Sequence, residues 1–165
     1  MNHKRGRPKH QRQGCDCKLA YLAGVFDGEG CVTAQRLRGR NGNVFLVRVV
    51  VGNGFLPVLK EFQRFAGGSI NERRAPAGML RQFQWALSSR QAAAFLQRVL
   101  PHLVVKREVA TLALRLQALI THEYLAGGRR GLTQRQVERR ERIVRRCHAL
   151  NARGWRGNAP QARAA

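Results

Sequence analysis

Acidic residues are scarce in this chain: nine Asp and Glu stand against thirty-one Lys and Arg, a formal charge of +22 in 165 residues. So basic a molecule repels itself unless a polyanion is its normal partner, and nucleic acid is the leading partner class. Cysteine is also sparse. Cys15, Cys17, Cys31 and Cys147 contain no C-x2-C pair and no Cys/His set of zinc-binding form, so they read as reduced thiols. No run of eighteen apolar residues occurs, and no apolar segment follows MNHKRGRPKH, which excludes a membrane span and a secretory signal. The expected setting is intracellular: cytoplasm, nucleoid or the interior of an organelle. A disordered polybasic peptide is excluded too, because 44% of the residues are hydrophobic and the stretches 44–51 and 99–120 are apolar enough to bury a core.

Residues 1–18 are polar and basic, with little that packs, and read as a disordered arm. Within it, Arg5-Gly6-Arg7-Pro8 resembles an AT-hook core that lays arginines in the minor groove, but four residues match easily by chance, and the plainer reading is a tail that binds phosphates without specificity. From 19 to 28 the apolar spacing is helical. Two strand-like stretches, 31–38 and 44–51, flank the turn signal Asn41-Gly42 and form a hairpin. A short helix at 56–65 follows, then strands at 69–73 and 81–87 joined by a Pro/Gly loop at 75–78, with Phe83, Trp85 and Leu87 inward. Ser88 or Ser89 caps a helix to about Leu100, Pro101 breaks it, and 106–120 is helical again. After Gly127-Gly128, Thr133 and Gln136 match a capping box opening an arginine-rich helix to about Asn151. Its apolar stripe, Val137, Val144, Cys147 and Leu150, docks on the body or on a partner. Arg135, Arg139, Arg142 and Arg146 stay in solvent or meet phosphate.

The informative segment is LAGVFDGEG at 22–30. Ala20, Ala23, Gly24 and Gly28 form a helix face with almost no side chains, which another helix must approach closely. Glu29 lies at the carboxyl end of that helix, where an acid is unfavourable by about 0.3–1 kcal/mol unless something positive compensates. An acid among free carbonyls suits a hard cation such as Mg2+. An exposed acid paired with a nearby arginine is the other reading.

LAGVFDGEG resembles the signature of the LAGLIDADG homing endonucleases, agreeing at Leu22, Ala23, Gly24, Asp27 and Gly30. The stretch LPHLVVKRE at 100–108 is similar to the family's P-x-L-x-x-K element. The resemblance spans about 19–120. It implies an α+β body of order αββαββα with a saddle-shaped antiparallel sheet, here followed by a basic C-terminal helix. The expected division is an arm at 1–18, a nuclease domain at 19–126, a basic helical extension at 127–151 and a frayed tail at 152–165.

The resemblance further implies a divalent-metal-dependent DNA endonuclease. Glu29 would be the metal-binding acid and the Gly28 carbonyl a second ligand, with Mg2+ as cofactor and Mn2+ as substitute. Asp27 would hold the structure together. Lys106 would sit near the attacking water or the scissile phosphate, against the alternative of an ordinary helix N-terminal lysine. Asn53, after the second strand, is the polar residue that would orient water, although its flanking glycines also fit a plain turn. The basic residue expected soon after it is missing from Phe55-Leu56-Pro57-Val58. Because one signature occurs, the helix pair needs a second chain: a homodimer through Ala20, Ala23, Gly24, Asp27 and Gly28, with two Glu29 side chains at its centre cutting both strands of a long, roughly palindromic duplex.

Strand phase then selects base-reading candidates, Thr33, Gln35 and Arg48 on the first hairpin and Asn71, Arg73, Gln82 and Gln84 on the second. Arg36, Arg38 and Arg40 read as loop and phosphate contacts. The rival reading is a noncutting binder of the same fold, an RNA maturase that aids splicing of intron RNA or a DNA-binding regulator. A structural RNA-binding protein accounts for the charge but leaves LAGVFDGEG unexplained.

Overall fold

The computed structural model describes residues 9–39, 42–73, 80–125 and 131–156, with side chains described over 17–39, 42–73, 80–122 and 131–152. The AT-hook-like tetrapeptide, Arg40, Asn41, the 75–78 loop and the Gly127-Gly128 hinge lie outside those residues. Helix α1 (Lys9–Glu29) leads directly into a hairpin of β1 (Gly30–Gly39) and β2 (Gly42–Asn53). Helix α2 (Leu56–Ala66) then precedes β3 (Ser69–Arg73) and β4 (Gln82–Ser88). Helix α3 (Ser89–Val99), a 3-10 turn (Leu100–His102), α4 (Arg107–Leu125) and α5 (Gln134–Arg156) complete the order.

The four strands form one antiparallel sheet in the order β1-β2-β4-β3, so this is the α+β body expected. One face is packed. Val32 and Ala34 of β1, Phe45, Val47, Val49 and Val51 of β2, and Trp85 and Leu87 of β4 are buried beneath the helices. Leu22, Ala23 and Phe26 of α1, Leu59 and Phe62 of α2, and Phe95 and Leu96 of α3 meet them there. Trp85 anchors this layer: its ring centroid lies 5.0 Å from that of Phe62 and 5.2 Å from that of Phe95, and its Nε1 donates to the Gly67 carbonyl at 2.7 Å. Each such aromatic pair adds about 0.5–1.5 kcal/mol beyond the area it buries.

Several features differ from the sequence reading, among them the end of α5, which lies at Arg156 rather than near Asn151, so that 152–156 are helix and not frayed tail. Helix α1 begins at Lys9 rather than near residue 19. Once the packed turns after Leu19 form, each added residue costs little, and the Gln, Arg and Lys upstream are good helix formers. Helix α3 starts without a serine cap; Ser88 occupies the N-cap position but makes no side-chain bond, and Ser89 enters at φ 52°. Helix α4 runs on to Leu125. The capping box of α5 is present, with Thr133 N donating to Gln136 Oε1 at 2.8 Å and Gln136 N to Thr133 Oγ1 at 3.3 Å.

Helix α5 docks on the chain's own body. Val137, Val144 and Cys147 are buried against it, and burial pushes the Cys147 thiol up to about 11. His148 bonds the Ala34 carbonyl through its ring nitrogen at 2.9 Å, and Asn151 Nδ2 donates to the Val32 carbonyl at 2.9 Å. Both carbonyls belong to β1, an edge strand whose free polar groups would otherwise be open to pairing with another chain. Arg135, Arg139, Arg142 and Arg146 remain exposed, and Arg146 Nη2 donates to Glu108 Oε1 at 2.8 Å.

Candidate active site and nucleic-acid interface

The site begins where α1 meets β1. Gly30 is required at that junction, because a Cβ there would lie 2.4 Å from the Phe26 ring and from the Phe26 carbonyl oxygen. Its absence lets the chain pass from helix to sheet in one residue, leaving Glu29 exposed at the very end of α1. The last turn of α1 has no basic residue of its own. The compensating charge arrives from far along the chain: Lys106 Nζ donates to the Asp27 carbonyl, one of the oxygens left free at a helix C-terminus.

Asp27 locks the two segments together. Its carboxylate accepts from the backbone N–H groups of Val104 at 2.6 Å, Val105 at 3.1 Å and Lys106 at 2.9 Å, capping the approach to α4. Burial pushes the Asp27 carboxyl up, but those three bonds and the Lys106 charge outweigh it and hold it below the usual carboxylate range. For Lys106 burial dominates and lowers the pKa, against the opposing pull of Asp27, Cys31 and Glu29. Burial also raises the Cys31 thiol, with Lys106 pulling the other way.

Glu29 differs from the other described acids. Glu61 pairs with Lys18 and Arg64, Glu72 with Arg81, Glu108 with Arg146, and Glu141 with Arg36, while Glu138 accepts from Gln134. Among the described residues Glu29 makes no hydrogen bond or ion pair, although its charge reaches Lys106. The arginine-paired alternative is therefore not what these residues form. Glu29 and the neighbouring carbonyls are hard oxygen donors that fit a cation of the Mg2+ type, yet no group of three or more Asp, Glu, His or Cys among the described residues surrounds such an ion.

Asn53 stands at the same end of the sheet, two residues beyond Val51, the register partner of Gly30. Its Oδ1 accepts from Phe55 N at 2.7 Å in a turn, so that oxygen is engaged in shaping the start of α2. Sequence reading did not single out Cys31, which lies within electrostatic reach of Lys106, or the exposed pair Val104 and Val105.

The unpacked face of the sheet collects the polar candidates. Thr33 faces Arg48 across the hairpin, Asn71 faces Gln84, and Arg73 faces Gln82, all on the side opposite Val47, Val49 and Trp85. Gln35, two residues from Thr33, shares that side. Arg36 and Arg38 do not. They alternate with Val32 and Ala34 on the helix-covered side, where Arg36 Nε donates to Asn43 Oδ1 at 2.8 Å and its Nη1 pairs with Glu141 of α5. Their even strand phase turns them from the open face, so the loop-contact assignment is corrected for Arg36, which ties the hairpin to α5.

On α1, Ala20, Gly24 and Gly28 are exposed, and a Cβ added at Gly24 or Gly28 would meet nothing within 4 Å. Tyr21 shares this stripe and is 54% exposed. One member of the expected interface set is corrected: Ala23 has no exposed surface and belongs to the core, one helical step round from the open stripe, while the partly exposed Asp27 bonds the backbone of 104–106.

No family model and no curated protein matches the sequence, whereas solved structures do. The homing endonuclease I-CvuI, in complex with its target in the presence of Ca, superposes with a TM-score of 0.68 at 19% identity, covering 84% of each chain. The archaeal intron-encoded homing endonuclease I-Vdi141I, complexed with DNA, gives 0.66 at 16% identity over 82% of this chain and 84% of that one. The I-SmaMI LAGLIDADG homing endonuclease bound to cleaved DNA gives 0.56 at 19% identity, covering 90% of this chain but 50% of the longer one. With the LAGVFDGEG helix running into a four-stranded antiparallel sheet in the order β1-β2-β4-β3, the chain has the fold of the LAGLIDADG homing endonucleases.

Proposed function

We propose that the chain is a single-motif member of that family, working as a homodimeric, divalent-metal-dependent DNA endonuclease that cuts both strands of a long, roughly palindromic duplex. The observation that carries this reading is Glu29, without a partner among the described residues at the end of α1, in a chain with 22 surplus positive charges. An exposed acid set at a helix C-terminus, where backbone carbonyls are left free, has a ready use as a metal ligand. Glu29 and the Gly28 carbonyl would hold Mg2+, or Mn2+ in its place. The bound ion supplies Lewis acidity for phosphodiester hydrolysis. Lys106, fixed against the Asp27 carbonyl, holds positive charge beside Glu29, where it offsets charge on a scissile phosphate or on the attacking water. Asn53 would position water through its remaining amide group.

The second chain is needed on two counts. One chain provides a single such acid, and the open stripe of Tyr21, Gly24 and Gly28 is flat enough for a symmetry mate to pack on it. Exposed Val104 and Val105 join α1 through their bonds to Asp27 and extend that surface with apolar area. The chain also matches half of the longer I-SmaMI, which leaves room there for two such units. In this division 19–126 is the nuclease body, the basic extension at 127–151 carries α5, which braces β1, and the arm adds phosphate contacts. The open sheet face, carrying Thr33, Gln35, Arg48, Asn71, Arg73, Gln82 and Gln84, would lie in the major groove of duplex DNA.

A second reading, a noncutting DNA regulator or an intron-RNA maturase, draws support from Asn53, whose oxygen is engaged in the turn before α2. Substituting Glu29→Gln separates the two. The endonuclease reading expects loss of Mg2+-dependent double-strand cutting by at least about a hundredfold, with target binding kept within about threefold. Wild-type protein that binds a specific duplex but never cuts it favours the regulator, and specific binding of intron RNA alone favours the maturase.

A further inference from the structure

The sheet face assigned to DNA has an apolar end. Leu37 of β1 lies directly across from Val44 of β2, and Leu46, two residues on, sits on the same side opposite Gln35. Leu37 is 45% exposed and Val44 50% exposed, although the neighbouring open-face positions carry Thr33, Gln35 and Arg48. Alternation makes the placement firm. A one-residue slip would bury these three and expose Phe45 and Val47, so the patch is a fixed feature of the register.

Resting on the proposed DNA-binding function, we infer that Leu37, Val44 and Leu46 form a reader of the thymine 5-methyl group in the outer part of each half-site. The major-groove edge of a base pair offers donors, acceptors and a single apolar feature, the C5 methyl of thymine. An apolar cross-strand patch beside Gln35 and Thr33, in a molecule of charge +22, fits a polyanion whose groove displays that methyl. A protein partner fits poorly: three side chains lie far below the roughly 800 Å2 per partner that a stable interface needs. Position in the strand locates the base. Leu37 is eight residues past Glu29; at about 3.3 Å per residue this is about 26 Å, or roughly eight base pairs at about 3.4 Å each.

The experiment uses wild-type protein and the duplex it selects from a randomised library, with each thymine replaced in turn by deoxyuridine, which removes the methyl and nothing else. Replacement at a thymine roughly six to nine base pairs from the cut should weaken competition binding about fourfold, the loss expected for one buried methyl. The double variant Leu37→Ala, Val44→Ala should bind thymine and deoxyuridine duplexes alike. Gln35→Ala should lose affinity while keeping the thymine preference. A selected site without thymine in that window, equal wild-type binding of both duplexes, or an unchanged preference in the double variant overturns the inference. So does a double variant whose DNA-free sedimentation changes while wild type shows no thymine preference, since the patch then meets protein. If wild type selects no DNA sequence at all, the DNA-binding reading itself fails.

Discussion

Asp27 and Glu29 stand two residues apart and have opposite fates. Asp27 takes three backbone N–H groups from 104–106 and joins α1 to α4, while Glu29 is left without a partner among the described residues. Removing the carboxylate with Asp27→Ala should cost about 0.5–2 kcal/mol, the usual value of a lost helix cap. The acid linkage has a definite sign. Because the folded carboxyl titrates below its ordinary 3.8, its contribution is full above pH 3.8 and is lost as the pH falls through the lower folded value. Thermal melts should show wild type above Asp27→Ala near neutrality, with the gap closing below pH 3.8; a gap that stays constant into acid would show that the charge is not what holds the joint. The roles of these two residues were only partly legible beforehand. The LAGVFDGEG string marks Glu29 as unusual at a helix C-terminus, and the family resemblance implies a structural Asp27, but Asp27's partners lie some 77 residues away in sequence, and no local pattern reports them.

Element by element, patterning was most legible where one face of a regular structure is buried. The strand phases of 31–38 and 81–87 separated the core from the open face, because alternation has a period of two and the register keeps it. Helix faces were less secure. Ala23 is small like Gly24, yet it packs inside while Gly24 faces outward, and size alone does not tell a core alanine from an interface alanine. The seat of α5 on β1 was not legible either, since the His148 and Asn151 bonds go to strand carbonyls rather than to side chains. The open stripe of α1 gives a sharp test. In an isolated chain Gly24→Ala should stabilise the helix by about 1 kcal/mol, because Ala is the better helix former and nothing crowds its Cβ. In a dimer built on this stripe the same methyl holds the helices apart. Gly24→Leu should accordingly give a folded monomer, with native circular dichroism and half the wild-type mass by light scattering; an unchanged dimer mass would place the interface elsewhere.

On the scale of the whole molecule, a helical layer and a bare sheet face divide the work. The helices bury Phe26, Phe62, Trp85 and Phe95 on one side and hold Glu29, Gly28 and Lys106 at one end of the sheet. The other side presents Thr33, Gln35, Arg48, Asn71, Arg73, Gln82 and Gln84 on the open face, which the proposed function sets in a groove, and the net charge of +22 suits a polyanion. A two-fold pair of such saddles, with two Glu29 side chains at the centre, is the central claim. The measurement that tests it most directly is selection from a library of inverted-repeat duplexes in Mg2+, with sequencing of the cut ends produced by wild type and by Glu29→Gln. Breaks on both strands, related by a two-fold axis and dependent on both Mg2+ and Glu29, are the predicted result. Cut ends without two-fold symmetry, cutting that survives Glu29→Gln, or no cutting of any duplex would contradict it.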